Sequence, residues 1–328
     1  MDEQAFLDEI AANPADPAPR LIFADWLEER GDLRAELLRL LNELIHIEVP
    51  NRAVKEAKMR ELLYERNVQP VMPTFTNSIG MKFVQIPPGE FLMGAPDDEE
   101  CAGPHEKPQH PVTITKPYWL GVYPVTQAEY QTVMGKNPSW CSAMGDGKDQ
   151  VAGMNTDGFP VEQVSWEDAA EFSRVLSDKQ PADGWSYRLP TESEWEFACR
   201  AGTTTAFHFG NSLSSIQANF NGGQPYGGAE QGPYLKRPTE VGSYQPNAFG
   251  LFELHGNVWE WCADWFGDYS ADAMTDPTCP ASPDRVFRGG GWPAVGSRCR
   301  SARRGGNGPS IWSGSLGFRV VAVQSSGK

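Results

Sequence analysis

The amino-acid sequence predicts an α+β protein with little regular secondary structure, preceded by a small all-α segment. Apolar residues recur at helical spacing through the first 46 positions, short alternating strands and capped helices follow residue 75, and turn residues dominate 203–250. Short strands mixed with a few helices and long connections are typical of α+β domains. We divide the chain into a helical segment at 1–46, a helical linker at 47–74 and a large domain at 75–324.

Three short helices are predicted in the N-terminal segment. Phe6 and Ile10 lie on one face of the first helix, which ends before Pro14, and Gly31 ends the second. The third carries a broad apolar stripe, so these helices must pack on each other or on a protein partner. The string DPAPRLIFADWLEERGD (16–32) resembles a helical repeat-companion module found at the head of many otherwise unrelated bacterial proteins.

Strand signals begin where the linker ends. Pro70 and Pro73 stop the charged helical linker. The apolar runs 81–86 and 91–93 flank a Pro-Pro-Gly-Glu turn, which predicts a hairpin. Residues 112–115 alternate apolar and polar side chains, as a half-buried strand does.

Three helices of the large domain each begin with a capping box, in which Ser or Thr is followed three residues later by an acid. We predict that they run to about residues 133, 176 and 200, and that Gly202 ends the last one. The irregular stretch 203–250 is long enough to indicate a function or a bound ion. The capping pairs are Thr126 with Glu129, Ser165 with Asp168, and Thr191 with Glu194.

Seven phrases in a fixed order carry a family resemblance. They are NSIGMKFVQIPPGEFLMG (77–94), YPVT (123–126), PVEQVSW (160–166), RLPTESEWE (188–196), GNVWEW (256–261), RGGGW (288–292) and LGFR (316–319). Over residues 75–324 the chain resembles the formylglycine-generating enzyme family, or sulfatase-modifying factors. The resemblance implies a variant of the C-type-lectin fold with structural calcium. For the true enzymes it also implies copper-dependent oxidation of a sulfatase cysteine to formylglycine.

The cysteine pair that binds copper in that family is missing from this sequence. Active members hold copper with two cysteines five positions apart after the Arg-Gly-Gly motif, and soft Cu(I) needs such thiolates. The only candidate is Cys299, whose fifth neighbours are Ala294 and Arg304, and counting back from LGFR places the family positions on Gly296 and Ser301. We therefore expect no copper and no oxidase of the usual type. The candidate catalytic residues are Cys299, Ser301 and Arg304.

An arginine cluster surrounds Cys299 in this acidic chain. Arg298, Arg300, Arg303 and Arg304 could form a patch for a carboxylate or phosphate ligand, or could pair with the domain's own acids. Next to them Cys299 is either a thiol of lowered pKa or a small buried apolar residue. The resemblance implies a ligand groove near Arg304 and Arg319, and Trp292 is a further candidate for its lining, although aromatics this dense are first of all core.

A calcium site is expected around the GNVWEW phrase, because carboxylates, amides and backbone carbonyls are the ligands that calcium prefers. By resemblance one calcium is held by the side chains of Glu253 and Glu260 and the carbonyls of Gly256 and Val258. A second would use the side chain of Asn219 and the carbonyl of Phe220.

Charge and composition exclude several partners. The net charge of −15 disfavours nucleic acid and anionic membranes, because phosphate binding relies on Lys and Arg. No run approaches the ~20 apolar residues of a membrane span, and the N-terminus is acidic and lacks a signal-peptide pattern. We expect a cytoplasmic protein, with its six cysteines as free thiols.

Three functions remain open at this stage. The leading hypothesis is a calcium-stabilised domain without copper oxidase activity that binds a peptide or protein ligand or catalyses a different reaction in the same groove. The second is an active formylglycine-generating oxidoreductase working through Cys299. The third is a lectin-like carbohydrate-binding module.

Overall fold

The N-terminal helices form as their periodicity predicts. In the computed structural model, which describes residues 2–179, 184–279 and 281–324, Asp2 caps the first helix by accepting a hydrogen bond from the backbone N–H of Ala5 at 3.0 Å. Phe6 and Phe23 stack face to face in a small core between the first two helices. The helices are α1 Glu3–Ala12, α2 Ala18–Glu28, α3 Arg34–Leu44 and α4 Arg52–Arg60, the last continued by a π-helical turn at Glu61–Glu65.

The apolar stripe of α3 packs against the large domain. Leu44 and Leu62 belong to the same buried cluster as Ile86 and Phe197 of that domain. The backbone carbonyl of Ile45 also accepts a 2.7 Å hydrogen bond from the N–H of Glu90. The helical segment, the linker and the large domain therefore share one core, which covers the stripe without a second protein.

Three small sheets and three helices build the large domain. Their orders are β1-β2-β5-β12-β6, β10-β9-β7-β11 and β3-β4-β8, and all pairings are antiparallel except β7 with β11 and β4 with β8. The strands are β1 Thr74–Thr76, β2 Lys82–Ile86, β3 Gly89–Met93, β4 His110–Ile114, β5 Tyr118–Gly121, β6 Trp185–Arg188, β7 Trp259–Trp265, β8 Met274–Thr275, β9 Arg285–Arg288, β10 Arg304–Asn307, β11 Leu316–Gly317 and β12 Val321–Gln324; the helices are α5 Gln127–Met134, α6 Trp166–Lys179 and α7 Glu192–Arg200.

The predicted hairpin at 81–93 is wrong, although both of its strands exist. β2 pairs with β1 and β5, whereas β3 pairs with β4 in another sheet. The turn between them passes under other elements, since a Cβ on Gly89 would lie 2.7 Å from the carbonyl oxygen of Ile45 and from the ring of Phe197. The turn thus carries the chain from one sheet to the next instead of folding it back.

The capped helices agree with the sequence. Reciprocal capping boxes form at Thr126 with Glu129 and at Thr191 with Glu194. Between Arg200 and Trp259, all of it described, the chain forms no helix or strand. No helix among the described residues is long and apolar enough to cross a membrane.

Candidate ligand groove and the charges around it

A groove of about 550 Å³ opens beside the edge of the sheet that ends in β10. Phe266 and Phe287 are among the residues that line it. Its walls come from the turn at 103–106, from the segment 298–307 and from residues of 313–316. The groove therefore lies against the segment in which the family's copper cysteines would stand.

Arg304 lines this groove, but four hydrogen bonds within the protein already engage its three guanidinium nitrogens. Its Nε and Nη2 donate to the two carboxylate oxygens of Glu192 at 2.7 and 2.6 Å, and its Nη1 donates to the carbonyls of His105 and Gly267. Its guanidinium also lies over the ring of Tyr269, 4.1 Å from the centroid. Arg304 thus cross-links loops around the groove.

Arg319 does not line the groove, contrary to the expectation from resemblance. Its side chain is fully buried, and its Nε and Nη2 hold the carboxylate of Glu260 at 2.6 and 2.7 Å. The same guanidinium donates to the carbonyls of Gly121 and Phe252. Every donor faces the protein interior, so an external ligand cannot reach it.

Two other arginines remain accessible in the groove. Arg298 is exposed and has no ion pair within the described part of the chain, and Arg303 is 31% exposed at its side chain. Arg303 donates from Nη1 to Glu106 at 3.0 Å, but Arg300 shares that same carboxylate. Arg300 is also paired with Glu99, so these two acids balance Arg300 and Arg303, and the unbalanced positive charge of the groove wall among the described residues is that of Arg298.

Cys299 and Ser301 are interior residues. Neither is measurably exposed, and a Cβ on Gly290 would lie 2.5 Å from the Cys299 Sγ, so this sulfur packs against a glycine backbone. Burial raises the pKa of the Cys299 thiol to about 12, which the charge of Arg300 only partly opposes. Of the two alternatives for Cys299, the structure agrees with the small buried apolar residue and not with the activated thiolate, because desolvation outweighs the nearby guanidinium. With glycine at 296 and serine at 301, no second thiol stands at the family positions.

Trp292 lies beside the groove and is not one of its lining residues. Its indole N–H donates to the carbonyl of Gly314 at 2.9 Å, in the segment that walls the groove. The rings of Trp140 and Tyr234 flank it, with centroids 6.5 and 6.3 Å away. Near Gly314 the buried Glu162 has one oxygen without a hydrogen-bond partner among the described residues.

The residues expected to bind calcium fit a cation unevenly. Glu260 is engaged by Arg319 and by the indole N–H of Trp195 at 2.7 Å, so its charge is already neutralised. Glu253 accepts from the Gly242 N–H at Oε1, whereas its buried Oε2 has no partner within the described residues. Burial raises the pKa of Glu253 to about 8. An orphaned, desolvated carboxylate oxygen is what a bound cation would satisfy.

The remaining expected calcium ligands are close to Glu253. The side chain of Asn219 lines the same small cavity. Gly256 adopts φ of +96°, and a Cβ there would lie 2.4 Å from the carbonyl oxygen of Asn219. Gly256, a ligand of the first expected calcium, is therefore in contact with Asn219, a ligand of the second. Phe220 and Val258 are buried and would contribute only carbonyls. No group of three or more His, Cys, Asp and Glu side chains within residues 2–179, 184–279 and 281–324 is placed to hold a metal.

The sequence reading missed the acids that hold these arginines. Glu192 binds both Arg304 and Arg288, and Glu196 binds both Arg288 and Arg200. The signal was present, since Glu192 and Glu196 stand four residues apart and therefore on one face of α7. Arg200 is a neighbour of Glu196 on the same helix, but Arg288 and Arg304 lie about a hundred residues away along the chain, which no local pattern reveals.

These observations define a class of protein. It is a loop-rich α+β domain with buried arginine–carboxylate pairs and a groove at a sheet edge. The family profile described as "Sulfatase-modifying factor enzyme 1-like domain" matches residues 68–324. The chain belongs to this family.

Relatives in the family carry different names. A formylglycine-generating enzyme of Streptomyces coelicolor is 32% identical over 288 residues, covering 73% of this chain and 88% of that protein. "Inactive C-alpha-formylglycine-generating enzyme 2" of Bos taurus is 31% identical and covers 75% of this chain and 89% of its own length. Both an enzyme and a protein named inactive are therefore similar to this chain to nearly the same degree.

Solved structures share the fold. Treponema denticola variable protein 1 superimposes with a TM-score of 0.64 at 27% identity, covering 78% of this chain and 99% of its own. PvdO from Pseudomonas aeruginosa superimposes with a TM-score of 0.60 at 29% identity, covering 76% of this chain and 97% of its own. The mixed fold predicted for residues 75–324 is confirmed by these neighbours.

Proposed function

We propose that this family member binds a peptide or protein segment in the 550 Å³ groove and does not carry out copper-dependent cysteine oxidation. The observation that carries the proposal is the composition of the groove wall. The accessible guanidinium groups of Arg298 and Arg303 line the groove close to the positions of the family's copper cysteines. The one thiol in that segment, Cys299, is buried. Arginine favours carboxylates as partners, so the ligand carries an acidic group.

The oxidase part of the proposal has a direct test. Purified full-length protein, loaded with Cu(I), is incubated with a Cys-x-Pro-x-Arg peptide, and the aldehyde product is sought by mass spectrometry. We expect no aldehyde and no stoichiometric copper, because Gly296 and Ser301 offer no thiolate and Cys299 is buried. Formation of formylglycine would overturn this part of the proposal.

The binding part is tested by selecting random octapeptides displayed on phage against the immobilised full chain. We expect recovery of acidic peptides that the Arg298→Glu/Arg303→Glu double variant no longer binds, because these substitutions reverse the charge of the groove wall. A matched control is Arg174→Glu on the exposed face of α6, because Arg174 is not one of the residues that line the groove. Recovery of no peptide, or equal binding to the double variant, would contradict groove binding.

Calcium at Glu253 and Asn219 completes the proposal. Their oxygens, with the carbonyls of Gly256, Phe220 and Val258, would supply ligands of the kind that calcium prefers. The ion would neutralise the buried Glu253 carboxylate and hold the irregular 203–250 region. Elemental analysis should find calcium in protein purified without chelator, and removal with EGTA should lower the melting temperature. A protein free of calcium whose melting is unchanged by added calcium would refute the site.

A further inference from the structure

The groove contains one open edge of a β-sheet. β10 is the terminal strand of the sheet β10-β9-β7-β11 and pairs only with β9, residue Gly305 opposite Phe287 and Gly306 opposite Val286. In an antiparallel pair, successive residues direct their N–H and C=O groups alternately toward the partner and away from it. One of the two glycines therefore directs both backbone groups away from β9, into the groove that they line.

Nothing in the described chain covers this edge. Gly305, Gly306 and Asn307 are half-exposed, and their backbone groups make no hydrogen bond outside the β9 ladder among residues 2–179, 184–279 and 281–324. Open edges are usually protected by lysine, proline or a bulge. β10 carries two glycines in their place, so no side chain at these two positions shields the edge.

The two faces of β10 are closed, which makes the edge the only free side. A Cβ on Gly305 would lie 2.3 Å from the ring of Phe287, and one on Gly306 would lie 2.7 Å from Phe266. Because successive residues of a strand point to opposite faces, the two rings cover opposite faces of β10. The two rings thus order the backbone of β10 before any ligand binds. A strand that is already ordered lowers the entropic cost of binding.

Charge gives the edge a direction. Arg303, which donates to Glu106, immediately precedes β10, and Arg298, unpaired within the described residues, lines the same groove, whereas Asp284 lies beside the opposite end, next to the residue that pairs with Asn307. A segment that runs antiparallel to β10 ends near Arg298 and Arg303. An acidic side chain or a terminal carboxylate at that end would meet two guanidinium groups.

We propose that an extended peptide with an acidic C-terminal end adds to the free edge of β10 as a fifth strand, held by main-chain hydrogen bonds to Gly305 or Gly306 and by Arg298 and Arg303. This inference rests on the proposed function, whose groove it uses, and adds the binding mode and the ligand class. The β10 strand has four residues, so at a rise of about 3.3 Å per residue it spans about 13 Å, enough for a peptide of about four to six residues. Main-chain pairing provides affinity and the acidic group provides orientation.

The experiment uses the acidic octapeptides recovered by display, synthesised with a single N-methyl group at each amide in turn, and the unmodified full chain. Strand addition predicts a period of two: methylation of alternate amides weakens binding by about tenfold or more, because each such group removes a hydrogen bond and clashes, while the amides between tolerate it. Hydrogen exchange should slow at the outward-facing amide of β10 and stay unchanged at its inward neighbours.

The outcomes separate the two proposals. Peptides that bind but show no alternation on N-methylation, or no protection at β10, would overturn strand addition and leave groove binding standing. Failure to recover any peptide would overturn both. Arg303→Gln should weaken the acidic peptide severalfold and leave its Gln-substituted analogue unaffected, whereas the control Arg174→Gln should change neither; equal losses for both peptides would contradict the proposed orientation.

Discussion

The arginines of this chain between 288 and 319 form two groups that differ in burial and in partners. The sealed arginines, Arg288, Arg300, Arg304 and Arg319, have side chains 0%, 0%, 1% and 0% exposed, and each holds at least one buried carboxylate. The groove arginines, Arg298 and Arg303, lie at the surface, and Arg298 has no acidic partner among the described residues. One residue type therefore cross-links the interior in one place and lines an accessible groove in another.

The sealed group compensates for the scarcity of regular structure. Arg319 joins β7 through Glu260 to the backbone after β5 and to the 200–259 region, and Arg304 joins β10 to α7 and to the turn near His105. A planar guanidinium with five donors can satisfy several loop carbonyls at once, which a lysine cannot. A positive cluster in this sequence therefore contains both structural and accessible arginines, which differ in whether buried acids hold them.

Loss of a sealed arginine should have the largest effect. Arg319→Gln leaves the fully buried Glu260 with only the indole of Trp195 as a side-chain partner. Removing one member of a buried pair typically costs about 3–5 kcal/mol. Urea unfolding should therefore show a large drop in the free energy of unfolding, or no folded protein. The matched groove variant Arg298→Gln should stay within about 0.5 kcal/mol of wild type; similar losses for both would abolish the distinction between the groups.

A buried acid without an arginine provides the complementary test. Burial, partly opposed by the N–H groups of Cys141 and Trp140, raises the pKa of Glu162 from 4.5 to about 7. The folded state thus binds the proton more tightly than the unfolded chain. Its contribution to stability is complete below about pH 4.5 and is lost as the pH rises through about 7, a change of up to about 3 kcal/mol.

Glu162→Gln should remove this dependence. Measured by urea unfolding, the variant should gain stability relative to wild type between pH 5 and pH 8, whereas the exposed control Glu167→Gln should show no such gain. An equal difference from wild type at both pH values would mean that Glu162 is not titrating in this range. The paired Glu260 offers the contrast, because its charge is compensated by Arg319.

Local and non-local features of this molecule differ in what a sequence can predict. The capping boxes at Thr126 and Thr191 were readable because the two partners stand three residues apart in one helix. The pairing of β2 was not, because β3 joins another sheet, where Gly89 at its start packs against Ile45 and Phe197 instead of turning back onto β2. In the site, the absence of a copper thiolate pair is a property of the sequence itself, whereas the exclusion of Arg319 from the groove required knowing that the buried Glu260 holds it.

Cys299 lies on the boundary between the two groups, between the exposed Arg298 and the buried Arg300. With a pKa raised to about 12 and no exposure, its thiol should resist iodoacetamide at pH 8 in the native protein, while the exposed Cys101 reacts. Mass spectrometry of digests after native and denatured labelling measures both. Cys299→Ala should cost only about 1 kcal/mol, as a small cavity does. Rapid labelling of Cys299 in the native protein would contradict this prediction, because it would show that solvent reaches the thiol.

The smallest expected effect on stability is also the one that isolates the ligand surface. Arg298→Gln removes an exposed charge without an acidic partner in the described chain, so folding should hardly change, whereas binding of an acidic octapeptide should weaken by about threefold to tenfold. The loss should shrink as ionic strength rises, because an exposed charge is screened within about 10 Å at 0.1 M salt. Fluorescence anisotropy at two salt concentrations measures this. A salt-independent loss would place Arg298 with the sealed group, as a residue that acts on binding through structure and not through its charge.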